Sequence, residues 1–289
     1  MKVDFFIVGA PKSGTTSLYN YLQAHPEICM SINKEPNFFS NEEINKQGLY
    51  YNRKCITSYE DYHKLFLNRT ESQIIGESSV SYLFYPDVAS KLYDYNSNAK
   101  IIVLLRNPVE RAFSHYLMDY RLGLVDLPFE DILFKKTKHT NLHLYYQQYI
   151  ELGMYYRQVM RYYSIFNKKN ILIINTDDFN KDTLKTLVDV YSFLNVDVNF
   201  EPKIDMRYNK YIEANNIFLN KMYSVALLRR FFSQTLPESL ISFIKNRFFT
   251  KKDKPLLNPK TKSLLYKIFN EETIQLEKLI NKKFTSWKN

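Results

Sequence analysis

Residues 5–16 read Phe5-Phe6-Ile7-Val8-Gly9-Ala10-Pro11-Lys12-Ser13-Gly14-Thr15-Thr16, and the character of the chain changes twice within them. The apolar run at the start is typical of a buried strand, and the Gly, Pro and Ser residues after it are typical of a tight loop. An amphipathic helix pattern, Ser17-Leu18-Tyr19-Asn20-Tyr21-Leu22, follows at once. A strand, a loop and a helix in this order direct backbone N–H groups and the positive end of a helix dipole to one point. Such a point is suited to a phosphate or a sulfonate.

The two glycines of this stretch have the spacing G-x-x-x-x-G of a phosphate-binding P-loop. In the nucleotide-kinase form of that loop, a lysine and then a serine or threonine follow the second glycine. Here Thr15 follows Gly14, and the lysine stands inside the loop at position 12. The pattern therefore predicts an anion site but differs from that of a nucleotide kinase.

The composition indicates one α/β domain over residues 1–289, with 45% hydrophobic and 16% aromatic residues to build its core. The net charge of +10 favours an anionic partner, although the excess of lysine over arginine argues against base-reading nucleic-acid binding. The two cysteines, Cys29 and Cys55, are too few for a disulfide scaffold, and no 18-residue apolar span occurs. We therefore expect a cytoplasmic protein without stable membrane insertion, or a domain of a longer, membrane-anchored parent.

Short apolar runs that suit a parallel sheet buried on both faces alternate with helical patterns along the chain. The predicted strands are Asp4–Gly9, Gln73–Glu77, Lys100–Arg106 and Asn170–Asn175. The predicted helices cover Thr16–Ala24, Tyr59–Phe66, Pro86–Tyr95, a long segment from Pro108, Gly153–Phe166, Thr183–Leu194 and Pro259–Ile280. This alternation predicts a P-loop-like, doubly wound and mostly parallel sheet flanked by helices, with ligands at the carboxyl ends of the strands. The aromatic and basic region 200–254 shows no clear strand, and we interpret it as substrate-binding helices or a lid.

A second motif follows the third predicted strand and reads Arg106-Asn107-Pro108-Val109-Glu110-Arg111-Ala112-Phe113-Ser114-His115-Tyr116. Asn107 is suited to cap the next helix, and Pro108 stands at its favoured first position. Arg106 at the strand tip and Ser114 on the helix could then bind one phosphate together. The alternative is a core salt bridge for Arg106 and a solvated Ser114.

Together the two motifs resemble those of the sulfotransferases that use 3′-phosphoadenosine 5′-phosphosulfate (PAPS). The stretch Pro11–Leu18 looks like their 5′-phosphosulfate loop, and the segment from Arg106 to Tyr116 looks like their 3′-phosphate motif. The similarity is greater to the heparan sulfate N- and 3-O-sulfotransferase domains and their bacterial relatives. The resemblance implies that Lys12 steadies the transferring sulfonate and that Arg106 and Ser114 hold the 3′-phosphate. The residues implied to line the loop are Ser13, Gly14, Thr15, Thr16 and Ser17.

A third motif, Lys34-Glu35-Pro36-Asn37-Phe38-Phe39, offers a carboxylate. Pro36 is expected to hold Glu35 in an extended conformation, and the two phenylalanines to anchor the segment in the core. In the resembled family a glutamate at this place acts as the base that takes the proton from the acceptor, which implies that role for Glu35. The alternative is that Glu35 caps a turn or pairs with Lys34.

The chain departs from the resembled pattern at two positions. Asn37 stands where the family has a histidine near the base, and Ser78 stands where it tends to have a lysine that contacts the acceptor. Of the aromatic residues, Tyr156 is the candidate for stacking on adenine, while His115 is interpreted as a packing residue of its helix. No cluster of His, Cys and Asp has the spacing of metal ligands, so no metal is expected.

The favoured interpretation is a PAPS-dependent sulfotransferase of the EC 2.8.2 type, with 3′-phosphoadenosine 5′-phosphate (PAP) as product. Its catalytic residues would be Glu35 and Lys12, and its acceptor a glycan in a basic, aromatic-rich cleft, or another small molecule with a hydroxyl or amine. Two alternatives remain. One is a P-loop nucleotide or metabolite kinase, which Thr15 contradicts and for which Asp177-Asp178, better interpreted as a helix cap, is a poor magnesium site. The other is a non-enzymatic module that binds polyanions.

Overall fold

The computed structural model describes residues 1–51, 56–204 and 255–288, together with the backbone of two short strands. Five strands form one sheet: β1 (Phe5–Gly9), β2 (Ile28–Met30), β3 (Ile74–Ser78), β4 (Lys100–Leu105) and β5 (Ile171–Asn175). Their order is β2-β3-β1-β4-β5, and every neighbouring pair is parallel. The strands β6 (Glu213–Ala214) and β7 (Phe249–Thr250) form a separate antiparallel pair.

The helices of the described residues connect these strands. They are α1 (Thr15–Gln23), α2 (Asn41–Gln47), α3 (Tyr59–Lys64), α4 (Val88–Tyr95), α5 (Pro108–Arg121), α6 (Phe129–Leu133), α7 (Leu142–Tyr149), α8 (Tyr155–Ile165), α9 (Thr176–Lys181), α10 (Thr183–Leu194) and α11 (Pro259–Ile280). No helix in this part of the chain is both long enough and apolar enough to cross a membrane.

The side chains of β1 point alternately into two cores, one on each face of the sheet. Phe5 and Ile7 pack in the core that includes α1 and α10. Phe6 and Val8 pack in the opposite core, which includes α4 and α8. All four side chains are fully buried. Because helices cover both faces, a strand must be apolar at every position, which explains the continuous runs in the sequence.

The doubly wound parallel sheet is therefore confirmed, and each of the four predicted strands is found with boundaries within one residue. The edge strand β2 and the short helices α2, α6, α7 and α9 were not predicted. Most of region 200–254 lies outside the described residues, including the proposed substrate-binding helices or lid. No clear strand was predicted in that region, whereas the structure has the short pair β6 and β7 there.

The parallel order brings the carboxyl ends of the strands to one edge of the sheet. The phosphate loop follows β1, the Arg106 motif follows β4, and the Glu35 turn follows β2. Because these three strands are parallel members of one sheet, the three predicted motifs lie along this single edge, in the strand order β2, β1 and β4. Such an edge is the usual ligand position in open α/β sheets.

Candidate active site

The loop between β1 and α1 has left-handed backbone at Lys12 and Gly14, with φ values of 67° and 91°. Glycine adopts this conformation without a steric cost, whereas a residue with a Cβ, such as Lys12, adopts it rarely. Gly14 is also the N-cap of α1, and it has no side chain with which to cap the helix. The first-turn N–H groups of α1 therefore face the loop, as an anion site requires.

The side chains of the loop point in different directions. The Nζ of Lys12 reaches across to α5 and lies 3.4 Å from the Sδ of Met118. Ser13 is fully buried, and its carbonyl oxygen accepts a hydrogen bond of 2.8 Å from the hydroxyl of Thr176. The side chain of the predicted loop residue Lys12 thus extends toward α5, whereas Ser13 anchors the loop to the start of α9.

Arg106 connects the second motif to the first. Its Nη2 donates to Oε2 of Glu110 at 2.8 Å, and its Nη1 donates to the carbonyl oxygen of Lys12 at 3.4 Å. The side chain of Arg106 is 25% exposed, so this ion pair is not the core salt bridge that was the alternative. Asn107 caps α5 as predicted, by accepting from the N–H groups of Val109 and Glu110. Ser114 is half-buried on the same helix.

The Glu35 turn differs from its prediction. Glu35 is not extended: its φ is 62°, and Asn37 is left-handed as well, with φ 52°. Proline restricts the residue before it but does not exclude this region, and two hydrogen bonds hold Glu35 there. Its N–H donates to the carbonyl oxygen of Ser78 at 2.8 Å, and its own carbonyl oxygen accepts from Nδ2 of Asn37 at 2.7 Å. Of the two phenylalanines expected in the core, Phe39 is buried and Phe38 is partly buried against it.

The carboxylate of Glu35 forms an ion pair with its neighbour, Lys34, whose Nζ lies 2.6 Å from Oε1. The two side chains keep 27% and 19% of their surface exposed, respectively. The pairing that was the alternative to a catalytic role is therefore present. It does not turn Glu35 away from the site, because Lys34 and Glu35 both line the cavity next to the phosphate loop.

That cavity has a volume of about 200 Å³ and joins the phosphate loop to the Glu35 turn. Its lining is Pro11, Lys12, Gly14, Thr15, Thr16, Lys34, Glu35, Ile44, Leu49, Tyr51, Val80, Ser81, Phe84, Tyr85, His115, Met118, Gln148 and Leu152. Of the predicted site residues it brings together Lys12, Gly14, Thr15, Thr16 and Glu35. The lining is aromatic, as expected, but its described lysines are Lys12 and Lys34 alone, so it is less basic than expected.

The other predicted site residues do not line this cavity. Ser13 is buried beneath the loop, while Ser17, Arg106 and Ser114 lie outside the lining. Tyr156, the candidate for adenine stacking, is on α8 and packs against the core shared with α4. Its N–H donates to the Oε2 of Glu272 on α11 at 3.0 Å.

A polar cluster in the cavity wall on α5 was not predicted from the sequence. The His115 ring, interpreted from the sequence as packing alone, lies 2.9 Å from the hydroxyl of Tyr51. That hydroxyl donates to Oδ2 of the buried Asp119 at 2.6 Å. The hydroxyls of Tyr50 and Tyr149 donate to the same oxygen at 2.8 and 2.9 Å. Burial raises the pKa of the Asp119 carboxyl, and the hydroxyls that donate to it oppose that rise. The i, i+4 spacing of His115 and Asp119 was the available signal.

Within the described residues no group of three or more His, Cys, Asp and Glu side chains is placed to hold a metal ion. Asp177 and Asp178 stand in the first turn of α9, and the N-cap of that helix is Asn175, whose side chain accepts from the N–H of Asp177. The cap of this helix is therefore Asn175, and not Asp177 or Asp178 as predicted.

Proteins with sequences similar to this chain include two sulfotransferases. Human carbohydrate sulfotransferase 15 is 26% identical over 243 residues, which cover 66% of this chain and 43% of that protein. Mouse heparan sulfate glucosamine 3-O-sulfotransferase 5 is 26% identical over 217 residues, which cover 73% of this chain and 57% of that protein. The chain thus spans about half the length of these relatives.

A solved structure agrees with this chain over its whole length. The sulfotransferase from Alicyclobacillus acidocaldarius superposes with a TM-score of 0.72 at 28% identity, and the match covers 99% of both chains. The model of the family described as the sulfotransferase domain matches residues 2–274. The resemblance inferred from the two motifs is thereby confirmed. Since so little of the 289-residue chain lies outside the match, the chain belongs to the sulfotransferase domain family.

Proposed function

We propose that this chain transfers a sulfuryl group from PAPS to a hydroxyl or amine of a carbohydrate acceptor, and that residues 1–289 act as one sulfotransferase domain. One observation carries the proposal: Lys12 of the phosphate loop and Glu35 of the neighbouring turn line the same cavity. A cation for the donor and a carboxylate for the acceptor are the two charges that such a transfer needs on opposite sides of the reacting group.

The residues at this edge of the sheet fit the donor. The uncapped first turn of α1 presents N–H groups, and Lys12 adds a positive charge to the same loop. Thr15 and Thr16 line the cavity and would hold the 5′-phosphosulfate with the loop amides. Arg106 and Ser114 would hold the 3′-phosphate, with the planar guanidinium binding two of its oxygens. When bound, the donor supplies an activated sulfuryl group.

Glu35 would accept the proton of the attacking hydroxyl or amine. Lys34 holds Oε1 of this carboxylate at 2.6 Å, which limits the directions that the side chain can take. Lys12 would stabilise the negative charge that develops on the leaving phosphate, a contribution that fixed charges in a partly enclosed site make effectively. The main contributions of the protein are thus positioning and electrostatics.

The aromatic side chains that line the cavity, Tyr51, Phe84 and Tyr85, support an acceptor with a ring that can pack on them. The names of the carbohydrate and heparan sulfate sulfotransferases that resemble the chain support a sugar. A small metabolite with a hydroxyl or amine fits the same chemistry. A cytoplasmic location is also part of the proposal, and it is supported by the low cysteine content.

The test is transfer of radiolabelled sulfate from PAPS to a panel of four acceptors: p-nitrophenyl β-glucoside, p-nitrophenyl β-glucosaminide, chondroitin and N-deacetylated heparosan. The Glu35→Gln variant keeps the shape of the side chain but cannot accept the proton, so turnover should fall by about 10²- to 10⁴-fold. Its Kd for PAP and its Tm should stay near the wild-type values.

Glu42→Gln is the matched control, because Glu42 forms a 2.6 Å ion pair with Lys46 and does not line the cavity. Its turnover should equal that of the wild type. A wild-type protein that binds ATP and magnesium but not PAP would favour the kinase alternative. Binding of polyanions without any transfer would favour the non-enzymatic one.

A further inference from the structure

A second carboxylate, Glu77, lies beneath the Glu35 turn but does not line the cavity. It is the residue of β3 that pairs with Phe6, and it points into the core on that face of the sheet. The side chain is fully buried among the rings of Tyr62 and Tyr82. A carboxylate in such surroundings is costly unless hydrogen-bond donors surround it.

Three hydroxyl groups supply those donors. Ser79 Oγ donates to Oε1 of Glu77 at 2.5 Å, and the hydroxyls of Tyr62 and Tyr82 donate to Oε2 at 2.7 and 3.1 Å. Each hydroxyl has a single hydrogen, which is used in the bond to Glu77. The oxygen lone pairs of these hydroxyls are therefore directed away from the carboxylate and can only accept.

Two of the three hydroxyls accept from backbone N–H groups of the Glu35 turn. The N–H of Asn37 donates to Ser79 Oγ at 3.0 Å, and the N–H of Phe39 donates to the hydroxyl of Tyr82 at 3.2 Å. Asn37 in turn donates from Nδ2 to the carbonyl oxygen of Glu35. A continuous chain of hydrogen bonds thus runs from Glu77 through Ser79 and Asn37 to the backbone of Glu35.

We propose that Glu77 is a positioning residue for sulfuryl transfer: it orients the hydroxyls of Ser79 and Tyr82 so that they hold the turn that carries Glu35. The inference rests on the proposed function, in which Glu35 is the base. Glu77 suits this role in its ionised form, because a carboxylate has no hydrogen of its own and accepts all three hydroxyls at once. An amide at this position would bring hydrogens of its own and force a hydroxyl to turn.

The structure offers a matched set of variants. Ser79→Ala and Tyr82→Phe each remove a donor to Glu77 together with an acceptor for the turn. Tyr62→Phe also removes a donor to Glu77, but no backbone group of the turn donates to the Tyr62 hydroxyl in the bonds described above, and phenylalanine keeps the ring that stacks on Phe38. All three variants should lose some stability. Only the first two should also lower kcat, and this contrast with Tyr62→Phe separates positioning from packing.

We expect Ser79→Ala and Tyr82→Phe to lower kcat by about 10-fold or more on the fastest acceptor of the panel, since small displacements of a reacting group are costly. Their Kd for PAP should stay within about twofold of the wild type, because the phosphate loop is not part of this network. Tyr62→Phe should keep kcat within about twofold. Equal kcat losses in all three variants would overturn the inference.

A double variant tests whether the effect passes through Glu35. In the Glu35→Gln background, Ser79→Ala should cause little further loss of kcat, because the group that it positions no longer acts as a base. A full additional loss in that background would overturn the inference and leave the proposed function standing. If Glu35→Gln alone keeps wild-type turnover, or if the wild-type protein transfers no sulfate, the base assignment itself fails and the inference falls with it.

Discussion

The guanidinium of Arg106 donates a hydrogen bond from Nη1 to the carbonyl oxygen of Lys12, over 3.4 Å. The two residues are 94 positions apart in the sequence, one after β4 and the other after β1. Because β1 and β4 are neighbours in the sheet, this contact fixes the spacing between the two proposed anion positions. The two side chains should nevertheless give different results when they are removed.

Lys12→Ala should lower turnover by about 10²- to 10³-fold at saturating donor, the usual loss when one group that stabilises developing charge is removed. The fold should survive, because alanine keeps the Cβ and the lysine ammonium lies beside Met118 on α5 and lines the cavity, outside the apolar core. Steady-state transfer from PAPS, together with circular dichroism, checks both statements. Lys46→Ala on the exposed face of α2 is the control, and unchanged turnover in Lys12→Ala would contradict the role.

Arg106→Ala should weaken binding of PAP by about 10- to 100-fold, which corresponds to the loss of a charge-assisted hydrogen bond to phosphate. Adenosine 5′-phosphosulfate lacks the 3′-phosphate, so its affinity should change much less. Titration calorimetry with both ligands separates the two cases. An equal loss for both would show that Arg106 does not bind the 3′-phosphate. Glu110→Gln removes the negative charge that pairs with Arg106 and should not weaken PAP binding.

Glu77 should make the stability of the fold depend on pH near neutrality. Burial raises the pKa of its carboxyl from the ordinary 4.5 to about 7, against the opposing effect of the hydroxyls of Ser79, Tyr62 and Tyr82. The folded state therefore binds this proton more readily than the unfolded chain. The stability that follows is present in full below pH 4.5 and is lost as the pH rises through about 7.

The change amounts to about 3 kcal/mol over that window for a shift of this size. Urea unfolding of the wild type and of Glu77→Gln at pH 5 and pH 8 measures it. The wild type should lose more stability than the variant between the two values. The tyrosines around Glu77 stay neutral throughout, because burial raises the pKa of Tyr62 and Tyr82 as well. Parallel pH dependences in the two proteins would contradict the prediction.

Gly76→Ala should destabilise the sheet next to the active site. A Cβ at this position would lie 2.1 Å from Cζ of Phe5 and 2.6 Å from Sδ of Met30, and both side chains are buried. Overpacking of this kind costs about 1–3 kcal/mol, which thermal or urea unfolding detects. Ser90→Ala on the exposed side of α4 is the control and should stay within about 0.5 kcal/mol of the wild type.

Four of the five strands of the main sheet were predictable, because burial on both faces makes them nearly continuous apolar runs. The cap at Asn107 was predictable because the Asn-Pro pair at a helix start has a local cause. The edge strand β2 was not, since its three residues are too few to show a period. The short helices α6 and α7 were not predicted either.

The details of the active site depend on contacts that no local pattern contains. Glu35 is left-handed because Ser78 and Asn37 hold its backbone, and Ser78 is more than 40 residues away in the sequence. The position of His115 in the cavity wall depends on where α5 meets the phosphate loop. The raised pKa of Glu77 depends first on its burial and then on the hydroxyls of Ser79, Tyr62 and Tyr82, which oppose the rise. Sequence motifs therefore indicated which segments meet, but not which of their side chains share the cavity or how these are oriented.

The place of β1 in the sheet has a consequence for synthesis on the ribosome. Phe5 pairs with Gly76 on one side and with Lys100 on the other. During translation the apolar strand Phe5–Gly9 must therefore wait for its first neighbour until β3 has left the exit tunnel, and for its second until β4 has followed. An unpaired apolar strand is prone to aggregation. Early folding of this protein should thus depend on chaperone protection of its first strand, and nascent chains stalled before residue 100 should be protease-sensitive.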